Sequence, residues 1–216
     1  MKIGMLGTGT VGKRLAGRLV ELGNEVLMGS RTADNPEAVQ WAKQAGKGAS
    51  HGTFEEAARF GEVLFLCVKG DAALSVINLA KPESFKGKTV IDVTNPLDFS
   101  QGMPPSLFIS NTNSLGEEIQ KALPGAHIVK TLNIVSNEVM IDPGITGGEP
   151  TMFLCGNDAG AKEKAAAILK KLGWKDIMDL GDISNARGTE MVLPIWVRTW
   201  TTLQNGNFAF KVLRKK

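Results

Sequence analysis

The segment KIGMLGTGTVG, residues 2–12, decides the fold of this chain. Residues 2–6 are mostly apolar, as in a buried strand, and Gly7-Thr8-Gly9-Thr10-Val11-Gly12 follows at once. In this spacing the first glycine permits a tight turn, the second lets a diphosphate approach the backbone, and the third lets the next helix pack closely on the strand. A helix that begins here points free N–H groups and the positive end of its dipole at the phosphates. The sequence therefore predicts that residues 7–12 bind the diphosphate of a dinucleotide.

A glycine motif indicates a dinucleotide site only when it lies between a strand and a helix, and the residues after this turn meet that condition. Val11, Leu15, Leu19 and Leu22 recur at helical spacing, Gly23-Asn24 ends that helix, and residues 25–29 form a second apolar strand. The alternative is a glycine turn with a purely structural role. The strand, turn, helix and strand in this order favour the dinucleotide site.

Ser30, Arg31 and Thr32 follow the second strand, at the position that selects the cofactor. An acidic residue there would bind the ribose hydroxyls of NAD, whereas a hydroxyl and a guanidinium suit a 2′-phosphate. We therefore expect NADP. The alternative is an exposed turn that carries an arginine.

Apolar strands and amphipathic helices continue to alternate, with further strands expected at residues 62–68, 89–93 and 126–130. This pattern predicts an α/β fold with a doubly wound parallel sheet, a Rossmann domain. Ligands bind at the carboxyl ends of such strands, so the loops at Gly7, Ser30, Val68-Lys69 and Asn95 should converge. Asn95-Pro96 is equally typical of a simple turn. Asn133 also follows a strand, and its amide suits a carboxamide such as that of nicotinamide.

The rest of the chain predicts a smaller second part. Residues 97–110 are expected to form a long irregular loop that faces the substrate or lies on the surface. We place residues 1–140 in an NADP-binding domain and residues 141–216 in a small C-terminal α/β portion that ends in a long helix, kinked at Pro194. Residues 191–197 are apolar on nearly all sides, which predicts either a homodimer contact or ordinary core packing.

Composition excludes several classes of protein. The chain has 216 residues, of which 43% are hydrophobic and 22% charged, with a net charge of +3, so it resembles an ordinary globular protein and nothing indicates a nucleic-acid partner. No apolar run is long enough to span a membrane. Cys67 and Cys155 are expected to be buried free thiols in a reducing cytoplasm, without a metal site. The chain has no tyrosine, and His51 and His127 fit structural roles, so we assign no catalytic acid or base.

Several segments together resemble one family. They are residues 7–12, Gly29-Ser30-Arg31, Lys130-Thr131-Leu132-Asn133, residues 153–158 and residues 179–187. They resemble the coenzyme F420-dependent NADP oxidoreductases and, more loosely, NADPH-dependent ferric reductase domains.

The resemblance implies a dimeric enzyme in which a hydride passes between NADP and a deazaflavin or another electron partner. It places Thr8, Thr10 and Val11 at the diphosphate, Ser30 and Arg31 at the 2′-phosphate, Val68 and Lys69 at the adenosine ribose, and Asn95, Leu132 and Asn133 at the nicotinamide. Lys69 and Asn133 differ from the residues that are common in that family.

Three hypotheses follow. The chain is an NADP(H)-dependent oxidoreductase that works with coenzyme F420 or a flavin, a reductase of a small carbonyl or imine, or a regulatory protein that senses NADP(H). Fold alone does not separate them.

Overall fold

The computed structural model describes residues 1–215, and eight of the ten strands in this part of the chain form one sheet. The strands are β1 (Lys2–Leu6), β2 (Glu25–Ser30), β3 (Ala49–Thr53), β4 (Val63–Leu66), β5 (Thr89–Asp92), β6 (Leu97–Asp98), β7 (Ser106–Leu107), β8 (His127–Thr131), β9 (Thr151–Gly156) and β10 (Asp176–Asp179). The helices are α1 (Thr10–Glu21), α2 (Pro36–Ala45), α3 (Phe54–Phe60), α4 (Ala73–Leu79), α5 (Leu115–Ala122), α6 (Asn137–Ile141), α7 (Ala159–Lys171), α8 (Ala186–Met191) and α9 (Leu193–Leu203).

The order of the strands confirms the predicted Rossmann fold. The sheet runs β10-β9-β8-β5-β4-β1-β2-β3, and the six strands from β8 to β3 are all parallel. The chain moves outward from β1 to β3 and then returns to β4 on the other side of β1. The order therefore reverses between β1 and β4, and a dinucleotide binds across the crevice at such a reversal.

The sheet separates two apolar layers. One layer contains α1 and much of α7, and the other contains α3, α4 and α5. All four residues of β4 are buried, as expected for a strand that is covered on both faces.

Side chains cap the N-termini of several helices. Asn35 caps α2, Ser114 caps α5, and Thr53 with Glu56 forms a capping box at α3. These caps hold the helix ends near the carboxyl edge of the sheet.

The prediction of an irregular loop at residues 97–110 is wrong in part. Leu97–Asp98 and Ser106–Leu107 pair as a short antiparallel hairpin, with Leu97 opposite Leu107. Strands of two residues are too short to show an alternating pattern in the sequence.

The C-terminal half extends the same sheet. β9 is antiparallel to β8, and β10 is parallel to β9. The division of the chain at residues 140 and 141 stays a prediction. The final helix bends as expected, because α8 ends at Met191 and α9 starts at Leu193, with Pro194 in its first turn.

The segment after α9 packs back onto the start of β9. The Thr151 N–H donates to the carbonyl of Phe210 (3.0 Å), and the Trp196 and Phe208 rings stack with centroids 5.4 Å apart. Asp176 holds this tail, because its carboxylate accepts hydrogen bonds from Lys211 (2.8 Å) and Arg214 (2.7 Å). The bond from Lys211, helped by those from Thr151 and Arg214, lowers the pKa of Asp176 from 3.8 to about 2.

We predict that Asp176→Asn loosens the tail. The lowered pKa means that the Asp176 contacts stabilise the folded tail fully above about pH 4, and that this contribution is lost as the pH falls towards 2. At neutral pH, hydrogen exchange at the Val212 amide should be roughly threefold to fivefold faster in the variant, the effect of about 1 kcal/mol for a partly exposed ion pair. Glu163→Gln, at an exposed position of α7, is the control. Equal exchange rates in the wild type and in Asp176→Asn would contradict the role of Asp176.

Candidate functional site

The glycine turn has the geometry that the sequence predicts. Gly7 has a φ of +131°, and a Cβ atom there would lie 2.3 Å from the carbonyl oxygen of Cys67. A Cβ atom at Gly12 would lie 2.3 Å from the carbonyl oxygen of Gly7, so this glycine lets α1 pack on β1. A Cβ atom at Gly9 would meet no protein atom within 4 Å. The open space at Gly9 faces the place where a diphosphate is expected.

A cavity of about 470 Å³ surrounds this turn. It brings together nine of the predicted residues: Gly7, Thr8, Gly9, Thr10, Val11, Ser30, Arg31, Val68 and Lys69. Gly12 and Thr32 do not line it; Gly12 packs against the turn, and Thr32 contributes a backbone carbonyl to Ser30.

Sequence reasoning missed the apolar wall of this first cavity. Phe54 at the start of α3 and Ala72 and Val76 at α4 line it, beside Arg31. Such a wall suits the face of an adenine ring. α3 follows β3 directly and α4 is the first α-helix after β4, and these positions at the ends of parallel strands could have indicated the wall.

Ser30 and Arg31 differ in their freedom to bind a phosphate. Ser30 is buried, and its hydroxyl donates to the carbonyl of Thr32 at 2.5 Å. Arg31 is exposed and lines the cavity. The guanidinium of Arg31 is therefore the main group that can neutralise a 2′-phosphate here.

A second cavity, of about 710 Å³, adjoins the first. Four residues line both cavities, namely Val11, Val68, Lys69 and Val93. The remaining wall comes from Gly70 and Asp71, from Asn95, and from the hairpin segment, whose Phe99 and Phe108 rings are half exposed. The hairpin thus faces this cavity, and two ligands that filled the two cavities would meet at the shared residues.

Asn95 and Asn133 bind each other. The Asn95 amide donates to the backbone carbonyl of Asn133 (2.8 Å), and the Asn133 amide donates to Asn95 Oδ1 (3.0 Å) and to the carbonyl of Thr189 (3.2 Å). Asn133 and Leu132 are buried and line neither cavity, whereas Asn95 lines the second one. In this arrangement Asn133 supports Asn95 from behind, and its predicted contact with nicotinamide stays a prediction.

A buried charged cluster lies behind this asparagine pair. Lys130 Nζ is 3.0 Å from Asp92 Oδ2 and 2.9 Å from Glu190 Oε1, and all three side chains are at most 2% exposed. Lys130 also donates to the carbonyl of Thr94 at 2.6 Å. Sequence reasoning missed the cluster, although an acidic and a basic residue inside two apolar strands were a signal.

The cluster changes the ionisation of its neighbours. Burial disfavours the charge of Lys130, but the attraction of Asp92 and Glu190 outweighs burial and raises the pKa of Lys130. Burial, with a contribution from Asp92, raises the pKa of Cys67, and burial raises the pKa of Cys155 to about 12. Both free thiols are buried, as predicted, and stay protonated at neutral pH.

Residues 1–215 contain neither a histidine that lines one of these two cavities nor a group of metal-ligating side chains. His51 Nδ1 lies 2.9 Å from the carbonyl of Ala33, and His127 lies 3.7 Å from Asp158, outside both cavities. Within the described chain, no three His, Cys, Asp or Glu side chains are grouped so that they could bind a metal ion.

None of the helices in residues 1–215 has both the length and the apolar character needed to cross a membrane.

Comparison with known proteins agrees with this geometry. The model of the family described as "NADP oxidoreductase coenzyme F420-dependent" matches residues 2–96. The F420-dependent NADP reductase of Methanothermobacter marburgensis is 30% identical over 207 residues, which are 91% of this chain and 91% of that protein.

Two further proteins are similar. The metalloreductase STEAP3 of Rattus norvegicus is 29% identical over 90% of this chain, which spans only 38% of that protein. A solved structure from Arthrobacter sp. FB24, provisionally described as an F420-dependent NADP-reductase, is 43% identical with a TM-score of 0.93, over 99% of this chain and 98% of that one.

Two glycines of the turn provide a matched test. Gly9→Ala should keep the melting temperature but weaken NADPH binding about tenfold or more, because its methyl group would occupy the open space near the diphosphate. Gly12→Ala should instead lower the free energy of unfolding by about 1 to 3 kcal/mol, because the new Cβ collides with the backbone of Gly7. Thermal denaturation and NADPH titration measure both effects. If Gly9→Ala binds NADPH like the wild type, the diphosphate does not lie at this turn.

Proposed function

Because the chain belongs to the F420-dependent NADP oxidoreductase family and is an NADP-dependent oxidoreductase, we propose that it transfers a hydride between NADP(H) in the first cavity and a planar redox cofactor in the second. The observation that carries this proposal is the common boundary of the two cavities, at Val11, Val68, Lys69 and Val93. Direct hydride transfer requires van der Waals contact between the donor carbon of the nicotinamide ring and the accepting atom of the second ring, so the two ligands have to meet.

The residues around the first cavity suit NADP along its length. The apolar wall at Phe54 and Val76 suits the adenine, Arg31 the 2′-phosphate, and the N–H groups at the start of α1 the diphosphate. The nicotinamide then extends towards Asn95, at the ends of β4 and β5. This direction follows from the reversal of strand order beside β1.

The chain itself contributes mainly binding and orientation. The nicotinamide ring supplies the hydride when NADPH is bound, so no protein nucleophile or metal ion is needed. Val11, Val68 and Val93 exclude water from the boundary between the cavities, and Asn95 offers an amide there whose position is fixed by Asn133. Correct positioning of two rings is the largest contribution that a protein makes to such a reaction.

The second cavity favours an aromatic acceptor. Phe99 and Phe108 present apolar ring surfaces at its wall, which suit stacking with a flat ring system. The names of the relatives point to coenzyme F420, and a flavin has a similar ring shape. A small carbonyl or imine compound would fill less of a cavity of about 710 Å³.

The acceptor is tested by mixing the protein with NADPH and, separately, with oxidised F420, FMN, FAD or a cyclic imine. Loss of the reduced-nicotinamide absorbance in the presence of F420 or a flavin is expected. Phe99→Ala with Phe108→Ala should raise the KM for that acceptor about thirtyfold, since each of the two ring stacks contributes about 1 kcal/mol. Turnover with the imine alone would support the second hypothesis. Tight NADPH binding without turnover of any acceptor would support the NADP(H) sensor.

Arg31 provides a separate test of cofactor choice. Arg31→Glu should weaken NADPH binding about a hundredfold while leaving NADH binding within a few-fold, because a charge-assisted contact of about 1.5 to 3 kcal/mol is replaced by repulsion. Lys47→Glu, an equal charge change elsewhere on the surface, is the control. Equal losses for NADPH and NADH would refute the contact between Arg31 and the 2′-phosphate.

We also propose that the protein is a homodimer in a reducing cytoplasm. Met191, Ile195, Trp200 and Leu203 expose apolar side chains on α8 and α9, and both cysteines are unpaired. Ile195→Glu should convert a dimer into a monomer in light scattering. A wild type that is monomeric at micromolar concentration would refute the dimer.

A further inference from the structure

The buried cluster of Asp92, Lys130 and Glu190 contains two acidic groups and only one basic group. We propose that this cluster carries one net negative charge behind the nicotinamide end of the site, and that it stabilises the positive charge that the nicotinamide ring has in NADP⁺. This inference rests on the proposed function, because it requires NADP to lie with its nicotinamide near Asn95.

The hydrogen bonds show that both acids fit their ionised form. Asp92 Oδ1 accepts from the N–H (2.9 Å) and the hydroxyl (2.7 Å) of Thr94, and its Oδ2 accepts from Lys130. Lys130 and the Thr94 N–H can only donate, and the Thr94 hydroxyl donates in this arrangement, so the contacts suit an ionised Asp92.

Glu190 has the same kind of surroundings. Its Oε2 accepts from the N–H of Leu115 (2.9 Å), and its Oε1 accepts from the N–H of Gly116 (3.0 Å) and from Lys130. These two backbone groups begin α5, so the helix dipole also favours a negative Glu190. The partial positive charge of that helix end reduces the negative charge of the cluster without cancelling it.

The cluster lies at the edge of the sheet where the nicotinamide is expected. Asp92 is the last residue of β5 and pairs directly with Lys130 of β8. Lys130 also binds the carbonyl of Thr94, and the next residue, Asn95, lines the second cavity. Val93, which lies between Asp92 and Thr94 in the chain, lines both cavities.

Asp92, the member of the cluster at the end of β5, acts on a residue of the first cavity. Cys67 lines this cavity, and Asp92 contributes to raising the pKa of its thiol. Because the cluster is at most 2% exposed, water and salt screen its field weakly. A fixed negative charge in such surroundings favours a ring that becomes positive when it gives up a hydride.

The test compares the dissociation constants of NADP⁺ and NADPH, which differ mainly in the charge of the nicotinamide ring. Asp92→Asn and Glu190→Gln each remove one negative charge from the cluster. In both variants the affinity for NADP⁺, relative to that for NADPH, should fall about tenfold, because the variant lacks one weakly screened negative charge behind the ring. Isothermal titration calorimetry measures both constants without any acceptor.

Glu83→Gln is the matched control, because it removes one negative charge from an exposed position. Its ratio of the two constants should equal that of the wild type. If Asp92→Asn and Glu190→Gln weaken both nucleotides equally, the cluster is only structural and the inference is wrong. A wild type that binds neither nucleotide would instead refute the NADP site itself.

Replacing a buried charged residue can prevent folding, so the wild type provides a second measurement. The ratio of the two dissociation constants should stay the same between about 0.05 and 0.5 M salt, because salt hardly screens a buried charge. Salt also weakens the phosphate contacts of both nucleotides equally, so that effect cancels in the ratio. If the affinity for NADP⁺ relative to NADPH falls steadily as salt is added, exposed surface charges stabilise the ring instead of the buried cluster, and the inference is wrong.

Discussion

The close approach of α1 to β1 is the constraint on which the rest of the structure depends. Gly12 lies against the carbonyl of Gly7, and Gly7 lies against the carbonyl of Cys67, so three segments of backbone meet without side chains between them. This contact directs the first turn of α1 at the crevice between the two halves of the sheet. The first cavity lies there, lined by Gly7, Gly9 and the first residues of α1, whose backbone N–H groups suit an anion.

The other half of the site is held by polar contacts between distant parts of the chain. Lys130 joins β8 to β5 and to α8, and Asn133 joins the same helix to Asn95. The bidentate pair between Arg187 and Glu117 fixes α8 against α5. The C-terminal residues therefore belong to the wall behind the second cavity, although they are remote from the glycine turn in sequence.

The predicted residues that the structure brings together at the first cavity depend on neighbours in sequence. The glycine turn and the Ser30-Arg31 pair are each contained in a few consecutive residues, so spacing and residue type were enough to place them at the first cavity. The mutual hydrogen bonds of Asn95 and Asn133 join residues 38 positions apart, and no local pattern shows that one amide will satisfy the other. The Asp92–Lys130 pair could have been predicted, because two opposite charges in apolar strands cannot be buried separately. The position of Glu190 in this cluster could not have been predicted, because its partners depend on how α8 packs.

The antiparallel direction of β9 explains how a chain of 216 residues surrounds its site on both sides. Because β9 runs back across the sheet, the connection that precedes it stays beside the ligand-facing edge and needs no crossover helix. β10 runs the same way as β9, so the chain that leaves it must return towards that edge, and α8 is this return. Reversing one strand thus lets a single short helix bring Thr189 and Glu190 to the ligand-facing edge, where they contact Asn133 and Lys130.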